Sequence, residues 1–285
     1  MPELKYILVD TLPQPEQSYL EENLRAEAIK TIYVHELPGG FPEQFSMFPA
    51  EECIFIAQNR DNLDCAIAGG MATLCYLSSE KSESYLGADM YAEGMEEIDL
   101  HFLRRVYQRH HNLPWTILET ERCIVREFSM DDLDDLFELY AGEGMTDYME
   151  PLRPYEQERE YQQAYIDNMY RFYGYGMWLV CDKVTGKLIG RAGIEHTACQ
   201  GEWSEKLQLG YAIGVSYQRR GYATEVCQAM VDYARTEMEI PSLCCLIEEK
   251  NEKSIGLARK LGFLFHEMVE IKGKKMCLFQ REFTR

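Results

Sequence analysis

No apolar run in the sequence approaches the roughly 18 residues that a membrane-crossing helix requires, so no membrane partner is expected. Positive charge is scarce: Lys and Arg number 29 against 48 Asp and Glu, a formal net charge of -19. Phosphate backbones bind to basic faces, which argues against nucleic acid as a general partner. The acidity suits a cationic substrate such as an amine, and it equally suits a solubilising surface, because net charge governs solubility and steering. None of the ten cysteines forms a C-x-x-C pair, and several sit inside apolar runs, where a thiol behaves as a small hydrophobe. A reducing compartment without a disulfide framework is expected. The cysteines and six histidines have no zinc spacing, so no metal is expected. The opening MPELKYILVD lacks a basic n-region and an apolar h-region followed by small residues. A cytoplasmic location is the expectation. Neither G-x-x-x-x-G-K-S/T nor a G-x-G-x-x-G following a strand occurs, which disfavours P-loop and dinucleotide folds.

What is present is an ordered alternation. Its 285 residues suit two domains. A helix-like stretch stops around His111-Asn112-Leu113-Pro114-Trp115, where Pro114 disfavours helix before it. The boundary is set near 117, giving domains 1–117 and 118–285. In the first, short apolar runs at 6–9, 31–34, 53–56 and 72–76 alternate with helix-like segments at 17–29, 61–68 and 97–110. That order predicts a small parallel, Rossmann-like sheet covered by helices.

The second domain reads differently. A strand is expected over 123–128, then a capping box at Ser129 with Asp132 three residues on. Leu133, Leu136, Phe137 and Tyr140 recur at helical spacing, and a second helix is expected over 155–173. A hairpin follows at 178–184 and 187–194 around Thr185-Gly186. A long strand over 206–216 leads into a helix striped by Ala223, Val226, Cys227, Met230, Val231 and Ala234. A strand at 243–247, a helix at 251–261 and a hairpin turning at Lys272-Gly273-Lys274 end the chain. The expected class is α/β (α+β): a mixed, mostly antiparallel sheet flanked by helices, preceded by a small α/β domain.

The segment "GVSYQRRGYATE", 214–225, places two arginines and a glycine between the long strand and its helix. Unpaired N–H groups at a helix start attract anions. Gly221 lets an anion approach the backbone, and Arg219 and Arg220 add forked donors. A diphosphate fits; an exposed turn with solvated arginines fits as well on these residues alone.

Gln218-Arg219-Arg220-Gly221-Tyr222-Ala223 matches the Q/R-x-x-G-x-G/A signature of the GNAT acetyltransferase superfamily. Asn251-Glu252-Lys253-Ser254-Ile255 and Lys260-Leu261-Gly262-Phe263 resemble the N-x-x-S-I…K-L-G-F pattern of its RimJ/RimL branch. The resemblance spans about 165 residues and implies a GNAT fold over the second domain. It implies acetyl transfer from acetyl-CoA, as co-substrate, to a primary amine on a protein N-terminus or small molecule. The acceptor would attack directly in a ternary complex. The other reading is a coenzyme-A-binding sensor without turnover.

By this resemblance Gln218, Arg219, Arg220, Gly221, Tyr222 and Ala223 would bind the pyrophosphate. Ile213, Gly214 and Val215 would offer backbone groups to the pantetheine arm, one N–H polarising the thioester carbonyl. Gly214 reads either as a close-approach glycine or as a packing glycine. Ser254 would assist the leaving thiolate, or be a first-turn helix residue; Asn251 would line the same site, or be an N-cap. Ala258 stands where many GNAT enzymes carry a tyrosine. An alkylammonium must lose its proton before it attacks. Glu195 is the first choice of base, Glu248 the second and His196 the third, with Glu195 and His196 on opposite strand faces. Met145, Tyr148, Met149 and Glu150 would wall the acceptor site, or pack in the core.

Residues 53–76, CIFIAQNRDNLDCAIAGGMATLCY, resemble the late core of haloacid-dehalogenase-like phosphatases. There a strand ends in G-D-x-x-x-D. Here the acids fall on Gln58 and Asn62, and neutral amides are poor Mg²⁺ ligands. Val9-Asp10-Thr11 is similar to the nucleophile strand, with D-x-D broken at Leu12. The expectation is a truncated, catalytically dead relative acting in docking, substrate sensing or homodimer formation.

Overall fold

The computed structural model describes residues 3–25, 29–37, 43, 45–77, 87–199 and 201–283. The chain divides into two units, Met1–Trp115 and Thr116–Arg285.

The first unit carries strands β1 (Tyr6–Val9), β2 (Lys30–Tyr33), β3 (Cys53–Ala57), β4 (Ala72–Tyr76) and β5 (Met90–Ala92). They form one parallel sheet in the order β2-β1-β3-β4-β5. Helices α1 (Gln14–Leu24) and α3 (Leu100–His110) pack through Leu20, Leu24, Leu103 and Val106 onto Ile7, Val9, Ile54 and Ile56. Helix α2 (Arg60–Ala68) covers the other face, through Leu63 and Ala66 against Leu8 and Phe55. The doubly wound arrangement explains why β3 and β4 are buried at every position.

Three details depart from the sequence reading. Helix α1 starts three residues earlier, where Pro15 presets the first turn, and ends at Leu24; residues 26–28 of the expected helix lie outside the described residues. Helix α3 starts at Leu100 because the Asp99 side chain accepts from the Phe102 N–H at 2.7 Å. Strand β5 has only three residues, too short for a periodicity signal.

Strand order reverses between β1 and β3, and Asp10 sits at that switch point, 6% exposed. Its carboxylate accepts from the N–H of Asn59 (3.0 Å), Gln58 (3.3 Å) and Thr11 (2.9 Å), and from Asn62 Nδ2 (3.1 Å).

The second unit contains β6 (Thr116–Glu119), β7 (Cys123–Arg126), α4 (Leu133–Tyr140), α5 (Tyr155–Tyr165), β8 (Met177–Asp182), β9 (Leu188–His196), β10 (Leu207–Ile213), α6 (Tyr222–Thr236), β11 (Ser242–Glu248), α7 (Glu252–Lys260), β12 (Leu264–Ile271) and β13 (Lys274–Glu282). Its eight-stranded sheet runs β12-β13-β11-β10-β9-β8-β7-β6. All neighbours are antiparallel except β10 and β11. The capping box at Ser129 and Asp132 is formed. The second helix, read as continuous over 155–173, is α-helical only to Tyr165 and π-helical over Ile166–Tyr173. The terminal hairpin turns on Lys272 (φ 49°) and Gly273 (φ 76°), the left-handed pair that a two-residue hairpin loop demands.

Strand β10 ends at Ile213, earlier than read. A 3₁₀ turn over Val215–Tyr217 follows, so Gly214 and Val215 leave the strand. The pairing of β10 with β11 is equally brief. One registered pair, Gln208 with Cys244, joins them near their starts. Beyond it these parallel strands diverge toward their C-terminal ends, leaving a fork in the sheet.

All ten cysteines are free thiols. No helix among the described residues is long and apolar enough to cross a membrane.

Candidate active site

Register fixes what faces the fork. In antiparallel strands, residues directly opposite share a face. Arg191 opposes Ala212, Gly193 opposes Gly210 and Glu195 opposes Gln208, so these six lie on one face. Tyr211 and Ile213 lie on the other. The first face meets α4: Arg191 Nη1 is 3.5 Å from Tyr140 Oη, and a Cβ on Gly214 would meet Leu139 Cδ1. On the other, the Tyr211 hydroxyl donates to Ser254 Oγ of α7 at 2.9 Å.

Backbone polarity follows the same register. The Gly214 N–H donates to the Ile189 carbonyl at 2.8 Å, so by alternation the Tyr211 and Ile213 peptide groups point away from β9, toward the fork. A cavity of about 840 Å³ occupies this fork and reaches both faces.

Of the site residues read from sequence, Ile213, Gln218, Arg219, Gly221, Tyr222, Ala223, Asn251, Ser254 and Glu195 line the cavity. Gly214, Val215 and Arg220 do not. Gly214 has both backbone groups engaged, its N–H with Ile189 and its carbonyl with the Tyr217 N–H at 2.8 Å. Its bare Cα instead admits Leu139, since a Cβ would stand 2.8 Å from that side chain. The packing reading of Gly214 therefore describes it, and it has no N–H to give a thioester. Val215 is exposed. Arg220 lends its carbonyl to Arg122 Nη1 at 3.0 Å. Gln218 braces the loop, donating from Nε2 to the Ile213 carbonyl at 3.1 Å. Asn251 caps α7 by accepting from the Ser254 N–H at 3.2 Å.

The loop's shape depends on left-handed residues. Arg219 (φ 60°) and Gly221 (φ 85°) turn the chain so that α6 begins at Tyr222 with its first N–H groups beside the cavity. Sequence reading missed what holds this turn. Glu225 accepts from Thr120 Oγ1 (2.6 Å), the Arg122 N–H (2.8 Å) and Arg122 Nε (2.7 Å). Burial pushes the Glu225 carboxyl up, but these donors outweigh it and hold it below the usual range. The guanidinium of Arg122 also lies 4.2 Å from the Tyr222 ring centre. About a hundred residues separate the partners, so no local pattern signals them.

Tyr211 was missed as well. Burial raises its hydroxyl to about 12 while Ser254 pulls it down, so at neutral pH it is a proton-bearing donor. The three base candidates separate clearly. His196 is exposed and paired with Tyr175 Oη at 2.8 Å. Glu248 lines the cavity but is ion-paired to Lys274 at 3.2 Å. Glu195 lines the cavity, and among the described residues only the Gln208 amide donates to its carboxylate, at 3.2 Å. Met145, Tyr148, Met149 and Glu150 line it too. No cluster of metal-ligating side chains occurs among the described residues.

Comparison with known proteins agrees with this architecture. Residues 122–264 match the acetyltransferase (GNAT) domain family. YkkB of Bacillus subtilis strain 168 is 27% identical over 168 residues, covering 59% of this chain and 96% of its own. The spermidine N(1)-acetyltransferase of Escherichia coli K12 is 30% identical over 113 residues, 36% of this chain and 57% of that protein. Among solved structures, the RimL ribosomal L7/L12 α-N-protein acetyltransferase superposes with a TM-score of 0.51 at 14% identity, over 60% of this chain and 96% of that one; this is likeness of fold. With half of its length inside the family match, the chain belongs to the GNAT acetyltransferase family and is an N-acetyltransferase, an enzyme class that draws acetyl groups from acetyl-CoA and delivers them to amines.

Proposed function

We propose that acetyl-CoA lies in the fork between β10 and β11 and that an amine on the α4 side of the sheet attacks it directly in a ternary complex. One observation carries this reading. The sheet is open along a seam whose two faces carry different chemistry, Tyr211 with Ser254 on one and Glu195 on the other. The cavity also ends at the start of α6, where Arg219, Gly221 and unpaired N–H groups suit a diphosphate. Acetyl-CoA supplies the activated thioester carbonyl. The Tyr211 and Ile213 peptide groups hydrogen-bond the pantetheine amides and the carbonyl oxygen. Glu195 takes the proton from the acceptor amine. Ser254, itself receiving the Tyr211 hydroxyl proton, donates toward the departing sulfur. The acceptor is a small-molecule amine or a peptide N-terminus.

Thiol release from acetyl-CoA across a panel of amines tests the reading. Release with at least one amine, strongly reduced in Ser254→Ala at unchanged acetyl-CoA affinity, is the expected result. Tight binding without release on any amine leaves a coenzyme-A sensor instead.

For the first unit, the proposal is a non-catalytic docking or sensing role. A carboxylate accepting four N–H groups is a poor nucleophile. The Asn62 amide also fills the place beside Asp10 where a phosphatase of the resembled family carries an acid.

A further inference from the structure

Arg191 is out of place on ordinary grounds. It interrupts the apolar run 188–194 of a central strand, and it is only 9% exposed. No carboxylate among the described residues pairs with it. Its one side-chain hydrogen bond is the long contact to Tyr140 Oη, and its Nε is buried with no partner. A buried guanidinium without a counter-ion is costly, so a fold that keeps one in a cavity wall has an anion to set against it.

Four residues along the same face of β9 stands Glu195, the one glutamate lining the cavity that has no cation among the described residues. Glu150 and Glu248 are ion-paired to Lys272 and Lys274. Beside Glu195, Gln208 Oε1 is a second buried polar atom with no partner, this time an acceptor. Tyr165 feels both ends: burial chiefly raises its hydroxyl, to about 12, with the Glu195 charge acting in the same direction and the Met177 N–H and the Arg191 charge acting against it. The cavity thus meets a carboxylate without a cation at one end and a guanidinium without an anion at the other, and it passes between them along Met177, which packs on Gly193 and Gly210.

We infer that the acceptor is a small zwitterion, an amino acid or similar amine that also bears a carboxylate, with its ammonium group at Glu195 and its carboxylate at Arg191 and Tyr140. This rests on the acetyl-transfer reading and narrows it. A polyamine or an ordinary peptide N-terminus would leave Arg191 unanswered. The fork of the guanidinium matches a carboxylate. A charge-assisted contact of this kind changes affinity by roughly 10- to 150-fold.

The test compares matched acceptors with and without the carboxylate: ornithine with putrescine, lysine with cadaverine, methionine with 3-(methylthio)propylamine. The expected result is a kcat/KM at least about tenfold higher for the carboxylated member of a pair that is turned over. Arg191→Met should abolish that preference by raising KM for the amino acid alone. Exchange of a buried charge for an apolar group of similar volume is tolerated by folds. Arg191→Lys, which keeps charge and loses the fork, should fall between. Preference for the decarboxylated member, or an equal effect of Arg191→Met on both, overturns the inference. If no amine releases thiol, the acetyl-transfer reading fails instead. The Arg191 site is then decided by calorimetry with hexanoate and hexanamide. Hexanoate binding that Arg191→Met removes supports it, and equal binding of both probes to both proteins refutes it.

Discussion

Gly221 allows the anion site to be tested by separating backbone strain from charge. At φ 85° any other L-residue is strained, by about 1–2 kcal/mol. A Cβ there meets only Arg122 Nη2, at 3.4 Å, so Gly221→Ala adds strain and little crowding. Free and bound enzyme share that strain, so it lowers the melting temperature by roughly 2–8 °C for a domain of this size and leaves affinity nearly unchanged. Gly221→Glu adds a negative charge at the same point. Two unit charges about 4 Å apart interact by about 1 kcal/mol in water and about 4 at an effective dielectric of 20. This loop is exposed and the ligand group is a diphosphate, so about 1–2 kcal/mol is expected, a roughly 5- to 30-fold loss of affinity relative to the alanine variant. Calorimetric titration with acetyl-CoA at low salt should show that gap, and molar salt should close most of it, because the Debye length falls to about 3 Å. Equal dissociation constants for the two variants at low salt would refute the placement of the diphosphate at this helix start.

The other predictions concern separate places in the chain. Tyr211→Phe removes the donor to Ser254; kcat should fall by roughly tenfold or more with acetyl-CoA affinity retained, and a loss confined to affinity would make the pair a binding element. Asn62→Asp sets a second carboxylate against buried Asp10; a loss of about 3 kcal/mol at neutral pH is expected by denaturant titration, and no loss would contradict the hydrogen-bonded assignment. His110 donates toward Asp89 at 2.9 Å and toward the Gly70 carbonyl at 3.1 Å. The Asp89 hydrogen bond raises its pKa above the ordinary 6.5 despite burial. The stabilisation is therefore full below 6.5 and is lost as pH rises through the elevated value. Asp89 is the mirror case: burial pushes it up, His110 and Thr73 bring it below the ordinary 3.8, and its share is lost only as pH falls through that lowered value. The melting-temperature gap between wild type and His110→Gln should thus be widest near pH 5–6 and shrink in alkali; a gap constant from pH 5 to 9 would exclude the pair as its source.

The sequence made visible what local chemistry controls. The stripe from Val226 to Ala234, the Ser129 and Asp132 box and the left-handed turn at Gly273 each depend on residues a few positions apart. The loop proposed to hold the diphosphate stood out for the same reason, as two arginines and a glycine between a strand and a helix. The end of β10 was misread because hydrophobicity continues through Val215 while the backbone has already turned at Gly214 to admit Leu139 of α4. The partnerships of Glu225 with Arg122 and of Tyr211 with Ser254 join elements that only the folded sheet brings together. Arg191 had a local signal, a charge inside an apolar strand, which gains meaning only once its lack of a counter-ion is known.

The brief pairing of β10 with β11 also bears on solubility. Interior strands with unmet peptide groups resemble sheet edges, and edges invite foreign chains to add on. A polypeptide inserting between two strands needs about 4.8 Å on each side over its whole length. Strands joined at one end and spreading toward the other provide that spacing at a single depth only. A tapering gap therefore turns away other chains while admitting a slender amide-bearing arm.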